Sequence, residues 1–301
     1  MTQMNIPRPY EGAAFFTPAA RAAGVPPHRF RARDLESPFR AVRAPVGSTS
    51  DLIALCRAYR ERAGDDEFFS HVTAARLWRL PLPRALKARS ELDVSVFAPS
   101  HPPQTAGVHG HRISKPVPLR VVAGLTVAPP IETWIQLGSV LSGDALVVAT
   151  DGMLRRKQTL ATIDDLTAAL NGGYRRPGVR LLQAALEEAR AGTDSPQETR
   201  SRLIIVRAGL PEPVIGHEVF NQRGDFVGTP DLAYPRFRIA FDYEGDGHRE
   251  DIQTFNDDIE RAELFQDALW RYVRITRDHV NNPHRLVSRV RAVLHERGWR
   301  P

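Results

Sequence analysis

The most constraining feature of the chain is the segment FVGTPDLAYPRFRIAFDYE, residues 226–244. FVGTPDLAY and FRIAFDYE alternate as two strands around a tight connection at Tyr234-Pro235-Arg236, and FRIAFDY is apolar on both of its faces. A strand apolar on both faces lies inside a sheet covered on both sides. The flanking sequence supplies the cover. SPQETRSRLIIVRAGL, DIQTFNDDIERAELFQDAL and NPHRLVSRVRAVLHERG carry helical patterns, PVIGHEVFN and RYVRIT are strands, and NQRGD is a turn. The order helix, three-stranded meander, helix, strand, helix predicts an α/β (α+β) domain with a mixed sheet over residues 191–301.

The same segment carries the chemistry. With a turn at residues 234–237, Asp231 falls opposite Ala240. Asp242 then shares its face by the period of two, and Glu244 continues that face. Diagonal neighbours across such a hairpin are roughly 7–8 Å apart, close enough for carboxylates to converge on one ion. Facing carboxylates repel, and one stays protonated unless a cation joins them. Hard oxygen donors suit Mg²⁺ or Mn²⁺ better than zinc. Solvated charge on an edge strand would also put acids on one face. The apolar surroundings favour the metal, because free carboxylates are expensive in a central strand.

Pro230-Asp231 followed by Asp242-x-Glu244 resembles the PD-(D/E)xK nuclease signature. SPQETRSRL, AGLPEPV, PDLAYP and YEGDGHR together resemble the endonuclease-like domain related to very-short-patch-repair endonucleases, over residues 190–301. The resemblance implies a restriction-endonuclease-like fold in which Asp231 is the principal metal ligand, Asp242 the second acid and Glu198 the helical acid. It also sets Gly245 and His248 near the scissile phosphate. The signature's lysine is missing: no lysine follows Lys157, and Glu244 stands in its place, as metal ligand or water-positioning base. Asp242 is one carbon shorter than the glutamate of the pattern. Glu198 has a second reading, because Ser195-Pro196-Gln197-Glu198 is a capping box. Asp258 and Arg261 are spaced for a surface ion pair, and Arg274 supports the sheet.

The rest of the chain is less specific. Its 301 residues suggest two or three domains. Cys56 is the sole cysteine, which excludes a disulfide framework and a cysteine-rich zinc site. No run approaches 18 apolar residues and no secretory signal is apparent, so a cytoplasmic protein without a membrane segment is expected. Residues 1–190 are net +8 and residues 191–301 net −2, which fits nucleic-acid binding in front and cation binding behind. In the first 45 residues, Thr17 is a candidate cap with Pro18 at the first helical position and Gly24 as the stop. HRFRARDL is a second short helix and FRAVRAP a strand, which together suggest a winged-helix DNA-binding module. SHVTAARLW and GLTVAPPIETWIQLGSVL resemble the antitoxin-type region often fused to this nuclease-like domain. That resemblance implies phosphate contacts from Arg29, Arg31, Arg33, Arg40 and Arg43. His101, His109 and His111 are expected to be exposed loop residues. The expected domains are 1–45, 46–190 and 191–301, with NGGYRRPG or AGTDSP as linker. The leading expectation is a Mg²⁺- or Mn²⁺-dependent DNA endonuclease, with a homodimer and a toxin–antitoxin-type partner both left open. A non-catalytic DNA-binding regulator and an RNA nuclease are the alternatives.

Overall fold

The computed structural model describes residues 12–172, 177–244 and 252–301, with side chains described from residue 260 in the last stretch. The expectations for Gly245 and His248, and the side chain of Asp258, lie outside the described residues. The chain divides into two compact units, Met1–Val140 and Leu141–Pro301. Both are mixed α/β.

In the first unit, β1 (Phe15–Phe16), β2 (Leu35–Glu36) and β3 (Val42–Pro45) form an antiparallel sheet in the order β1-β3-β2. α1 (Thr17–Ala22) starts after an N-cap at Phe16, so Thr17 is its first residue rather than its cap, and Pro18 follows. The second expected helix is a five-residue 3₁₀ turn, Pro27–Arg31, which ends where Ala32 turns extended. α2 (Leu52–Arg60) starts with the Asp51 carboxylate accepting from Ala54 N. α3 (His71–Leu77), α4 (Arg84–Lys87) and α5 (Pro130–Leu137) accompany a five-stranded sheet, β6-β5-β4-β8-β7. Its strands are β4 (Phe68–Phe69), β5 (Leu92–Phe97), β6 (Val108–Ile113), β7 (Arg120–Val122) and β8 (Leu125–Val127). The β7–β8 turn uses Ala123 and Gly124 at φ 52° and 81°, the two left-handed residues of a tight hairpin.

His109 and His111 sit on β6 rather than in a loop; only His101 is outside a strand. His111 Nε2 is 2.9 Å from Asp93 Oδ1, and its ring stacks on His71 with centroids 3.7 Å apart. Asp93, buried on β5, is paired by His111 and Arg89.

The second unit begins with α6 (Gly143–Met153), α7 (Ile163–Asn171) and α8 (Val179–Glu188), which precede α9 (Pro196–Arg207). α6 is tied to α9 by a buried pair: Arg202 Nη2 is 3.0 Å from Asp151 Oδ2, which also accepts from Thr199 Oγ1 at 2.8 Å. The division falls at residue 140, inside the region expected as one domain over 46–190 and ahead of both expected linkers. Interactions far apart in sequence bind its later helices to the residues after 190.

β9 (Val219–Phe220) and β10 (Phe226–Gly228) form a separate two-stranded sheet. β11 (Leu232–Tyr234), β12 (Ile239–Glu244) and β13 (Arg271–Thr276) form the other, with β11 antiparallel and β13 parallel to the central β12. The expected meander is thus split, with one isolated bridge from Val214 to Ala233. α10 (Ile252–Asp267) covers one face through Phe265, packed with Ala233, Ala240 and Trp270. α9, α11 (Arg277–Asn281) and α12 (Pro283–Glu296) cover the other, where Ile205, Leu286 and Val290 meet Phe241 and Val273. The short α11 is not apparent in the sequence pattern.

Candidate functional site

The turn that sets the acidic face is one residue later than expected. Pro235–Phe237 forms a 3₁₀ turn and Arg238 follows in the left-handed region at φ 50°, so Tyr234 pairs with Ile239 and Leu232 with Phe241. The corrected register slides Asp231 from opposite Ala240 to beside Asp242. Parity is unchanged, so the two acids still share a face.

Backbone donors lock them together. Asp231 N donates to Asp242 Oδ1 at 2.8 Å, and Tyr243 N donates to Asp231 Oδ2 at 2.7 Å. Glu198, 6% exposed in the first turn of α9, lies near enough for its charge to act on Asp231. Its amide donates to the Ser195 hydroxyl at 3.2 Å, while its Oε2 accepts from Asp194 N at 2.9 Å. The capping interaction thus reaches one residue further back than a reciprocal box. Burial, with the Glu198 and Asp242 charges added, pushes the Asp231 carboxyl up to about 8. Burial raises Glu198 as well. Arg261 opposes the rise at Asp231 without reversing it, so Asp231 holds its proton at neutral pH.

Two cations accompany the acids. Arg261 on α10 donates from Nε to Asp242 Oδ2 at 2.8 Å and from Nη2 to Thr229 O at 3.1 Å. Arg261 thus makes a tertiary pair, while the side chain of Asp258, its expected surface partner, lies outside the described residues. Tyr272 Oη donates to the same Asp242 oxygen at 2.9 Å. Arg274, in register with Asp242 on β13, lies 3.7 Å from Glu244 Oε2. Arg261 and Tyr272 were not apparent as site residues. The only sequence signal is that Tyr272 and Arg274 alternate on one face of RYVRIT, a pattern that names no partner.

Four carboxylates (Asp231, Asp242, Glu244 and Glu198) against two guanidinium groups leave the site formally −2 when all are ionised. Hard oxygen donors with that residual charge match a divalent ion in chemistry. Among the described residues, no three His, Cys, Asp or Glu side chains already stand close enough to hold a metal.

The N-terminal arginines are divided. Arg29 is paired with Asp34 at 2.8 and 2.5 Å, and Arg43 turns to Phe30 O, Ser37 Oγ and the Val42 carbonyl. Arg31, Arg33 and Arg40 are exposed. No helix among the described residues is long and apolar enough to cross a membrane.

Comparison with known proteins returns relatives without a described activity. The chain is 27% identical over 198 residues to uncharacterized protein MT2308 of Mycobacterium tuberculosis strain CDC 1551 / Oshkosh. The same figures hold for uncharacterized protein Rv2248 of strain H37Rv. Each match spans 60% of this chain and 72% of the relative. No family model and no solved structure matches.

Proposed function

We propose that the second unit is a divalent-metal-dependent DNA endonuclease of the PD-(D/E)xK type, acting at Asp231, Asp242 and Glu198. The observation that carries this reading is the backbone-locked pairing of Asp231 with Asp242 beside a buried glutamate. A protein that only needed these residues for folding would not gain from gathering three mutually repelling acids. Asp231, Asp242 and Glu198 would hold Mg²⁺ or Mn²⁺. The chemistry an ion supplies at such carboxylates is a water of lowered pKa and charge neutralisation on the phosphate. Arg261 holds Asp242 in orientation and offsets its charge. Glu244, or His248, takes the proton of the attacking water. Arg31, Arg33 and Arg40 are the surface arginines left to contact phosphates from the first unit.

A second reading is favoured by one specific observation. Both oxygens of Asp242 are already engaged, Oδ1 by Asp231 N and Oδ2 by Arg261 and Tyr272. A non-catalytic DNA-binding regulator would use the same fold with its acids closed off in this way. Supercoiled, linear and mismatched DNA incubated with the protein in Mg²⁺, Mn²⁺ or EDTA separates the two. Metal-dependent nicking or linearisation that is lost in Asp231→Asn supports the endonuclease. DNA retained in EDTA, with no cleavage in either metal, supports the regulator.

A further inference from the structure

Charge within the second unit is sharply segregated. Residues 191–270 carry eight arginines and sixteen acids, whereas residues 271–301 carry eight arginines against Asp278 and Glu296, with three histidines besides. The basic part is β13, α11 and α12. Because β12 and β13 are parallel, Glu244 and Thr276 end them side by side, and α11 starts at the next residue. The basic segment thus leaves the sheet at the edge where the acidic face ends.

There it forms an open depression of about 560 Å³, lined by Asp278, His279, His284, Arg285, Ser288 and Arg289. Leu286 and Val290 anchor α12 to the core, which leaves Arg285, Ser288 and Arg289 on its exposed face at helical spacing. The one acid is engaged: Asp278 pairs with Arg285 and accepts from Asn282 Nδ2 at 2.8 Å. Among the described residues, Arg289 makes no ion pair. Thr276 N donates to His279 Nδ1 at 3.1 Å, so the ring proton sits on Nε2 and that edge is a donor. The lining is therefore almost all donors: two guanidinium groups, two imidazoles and a hydroxyl. Tetrahedral oxyanions carrying one negative charge each match such a surface.

Resting on the endonuclease reading above, we propose that this α11–α12 depression binds the phosphodiester backbone of duplex DNA flanking the cleaved bond. Arg285 and Arg289 supply the charge, and His279 and Ser288 the neutral hydrogen bonds. Contacts of this kind position a duplex and read no sequence.

The test is the affinity of full-length protein for a labelled duplex in EDTA across a salt series, for wild type, Arg289→Ala and Arg285→Ala/Arg289→Ala. The expected result is weaker binding for every duplex sequence, with the slope of log affinity against log salt shallower by about 1 and about 2 respectively. Arg289→Lys should restore the wild-type slope. The melting temperature and its Mg²⁺ response should stay unchanged in Arg289→Ala, which touches no ion pair among the described residues. An unchanged slope in both arginine-deleted proteins, with wild-type cleavage retained, overturns this surface and leaves the endonuclease reading intact. A wild type that holds no duplex even at low salt overturns both. Single-stranded RNA of the same length serves as a parallel arm, and a loss confined to it assigns the depression to RNA and overturns the proposal. Inorganic phosphate is added as competitor at matched ionic strength. Displacement of the duplex no greater than by chloride supports a backbone site, and selective displacement at low millimolar phosphate overturns it in favour of free phosphate.

Discussion

Asp231 is the residue on which the site's electrostatics turn. Its folded-state carboxyl sits at about 8 against an unfolded value of 3.8, so the native state keeps a proton that the unfolded chain releases. The stability tied to that proton is fully present below about pH 4 and is lost as pH rises towards 8. Between pH 6 and 8 the loss amounts to about 2 kcal/mol for a single group of this kind. Asp231→Asn removes the titration while keeping the side chain's shape and its acceptor for Tyr243 N. Its melting temperature should therefore fall less than wild type's over that range. Mg²⁺ should stabilise wild type by about 2.7 kcal/mol at one hundred times its dissociation constant and leave the variant unmoved. Equal Mg²⁺ shifts in the two proteins would take Asp231 out of the metal site. Arg261→Gln makes a complementary test. It deprives a carboxylate that is 14% exposed of its charged partner, and thermal melts should show a loss of about 1.5–3 kcal/mol.

At the scale of elements, α9 and the β11–β12 hairpin have to be correctly phased for the three acids to meet. Ser195 fixes where α9 begins, and Ser195→Ala should cost about 1 kcal/mol through loss of the cap. Glu198→Gln separates the two roles of its residue. The amide oxygen can still accept from Asp194 N, so chemical denaturation should show stability held or raised at neutral pH, while calorimetric Mg²⁺ binding weakens. A Glu198→Gln protein with undiminished Mg²⁺ affinity would make Glu198 a helix cap alone. These elements were legible in the sequence because alternation, caps and apolar faces are local signals. The central character of FRIAFDY and the shared face of Asp231 and Asp242 both follow from such signals. The hairpin register was not, because the left-handed conformation at Arg238 that moves the turn by one residue belongs to a residue with no marked preference for it. Arg261 shows the other limit. Helical spacing points to Asp258, one turn away, but the acid that binds it is Asp242 of β12, reached as Phe265 of α10 packs on the sheet.

For the whole molecule, the decisive interaction is the one that moves the unit boundary forward to residue 140. Asp151, 1% exposed on α6, accepts from Arg190 N at 2.8 Å, from Thr199 Oγ1 and from Arg202, whose side chain is 2% exposed. Burial alone raises the Asp151 carboxyl, and the arginine opposes that rise. Removing one partner of such a pair leaves an uncompensated buried charge, at a cost of about 3–5 kcal/mol. Arg202→Met should lose that much in denaturant unfolding, whereas Asp151→Leu/Arg202→Met should recover part of it, since the pair would then be replaced by apolar volume. The same geometry governs truncation. A fragment over 191–301 holds every acid of the site but lacks α6, so the buried face of α9 and the guanidinium of Arg202 would lie open to water. A fragment over 141–301 keeps α6 and α8. The longer fragment should unfold in one cooperative transition and retain the Mg²⁺ shift of the full chain. The shorter should melt at least 10 °C lower or without cooperativity, a drop of the size that a loss of about 2 kcal/mol produces in a domain near 100 residues. Equal, cooperative melts for both fragments would mean that α9 needs nothing from α6, and that the sheet with α9 to α12 is the complete folding unit.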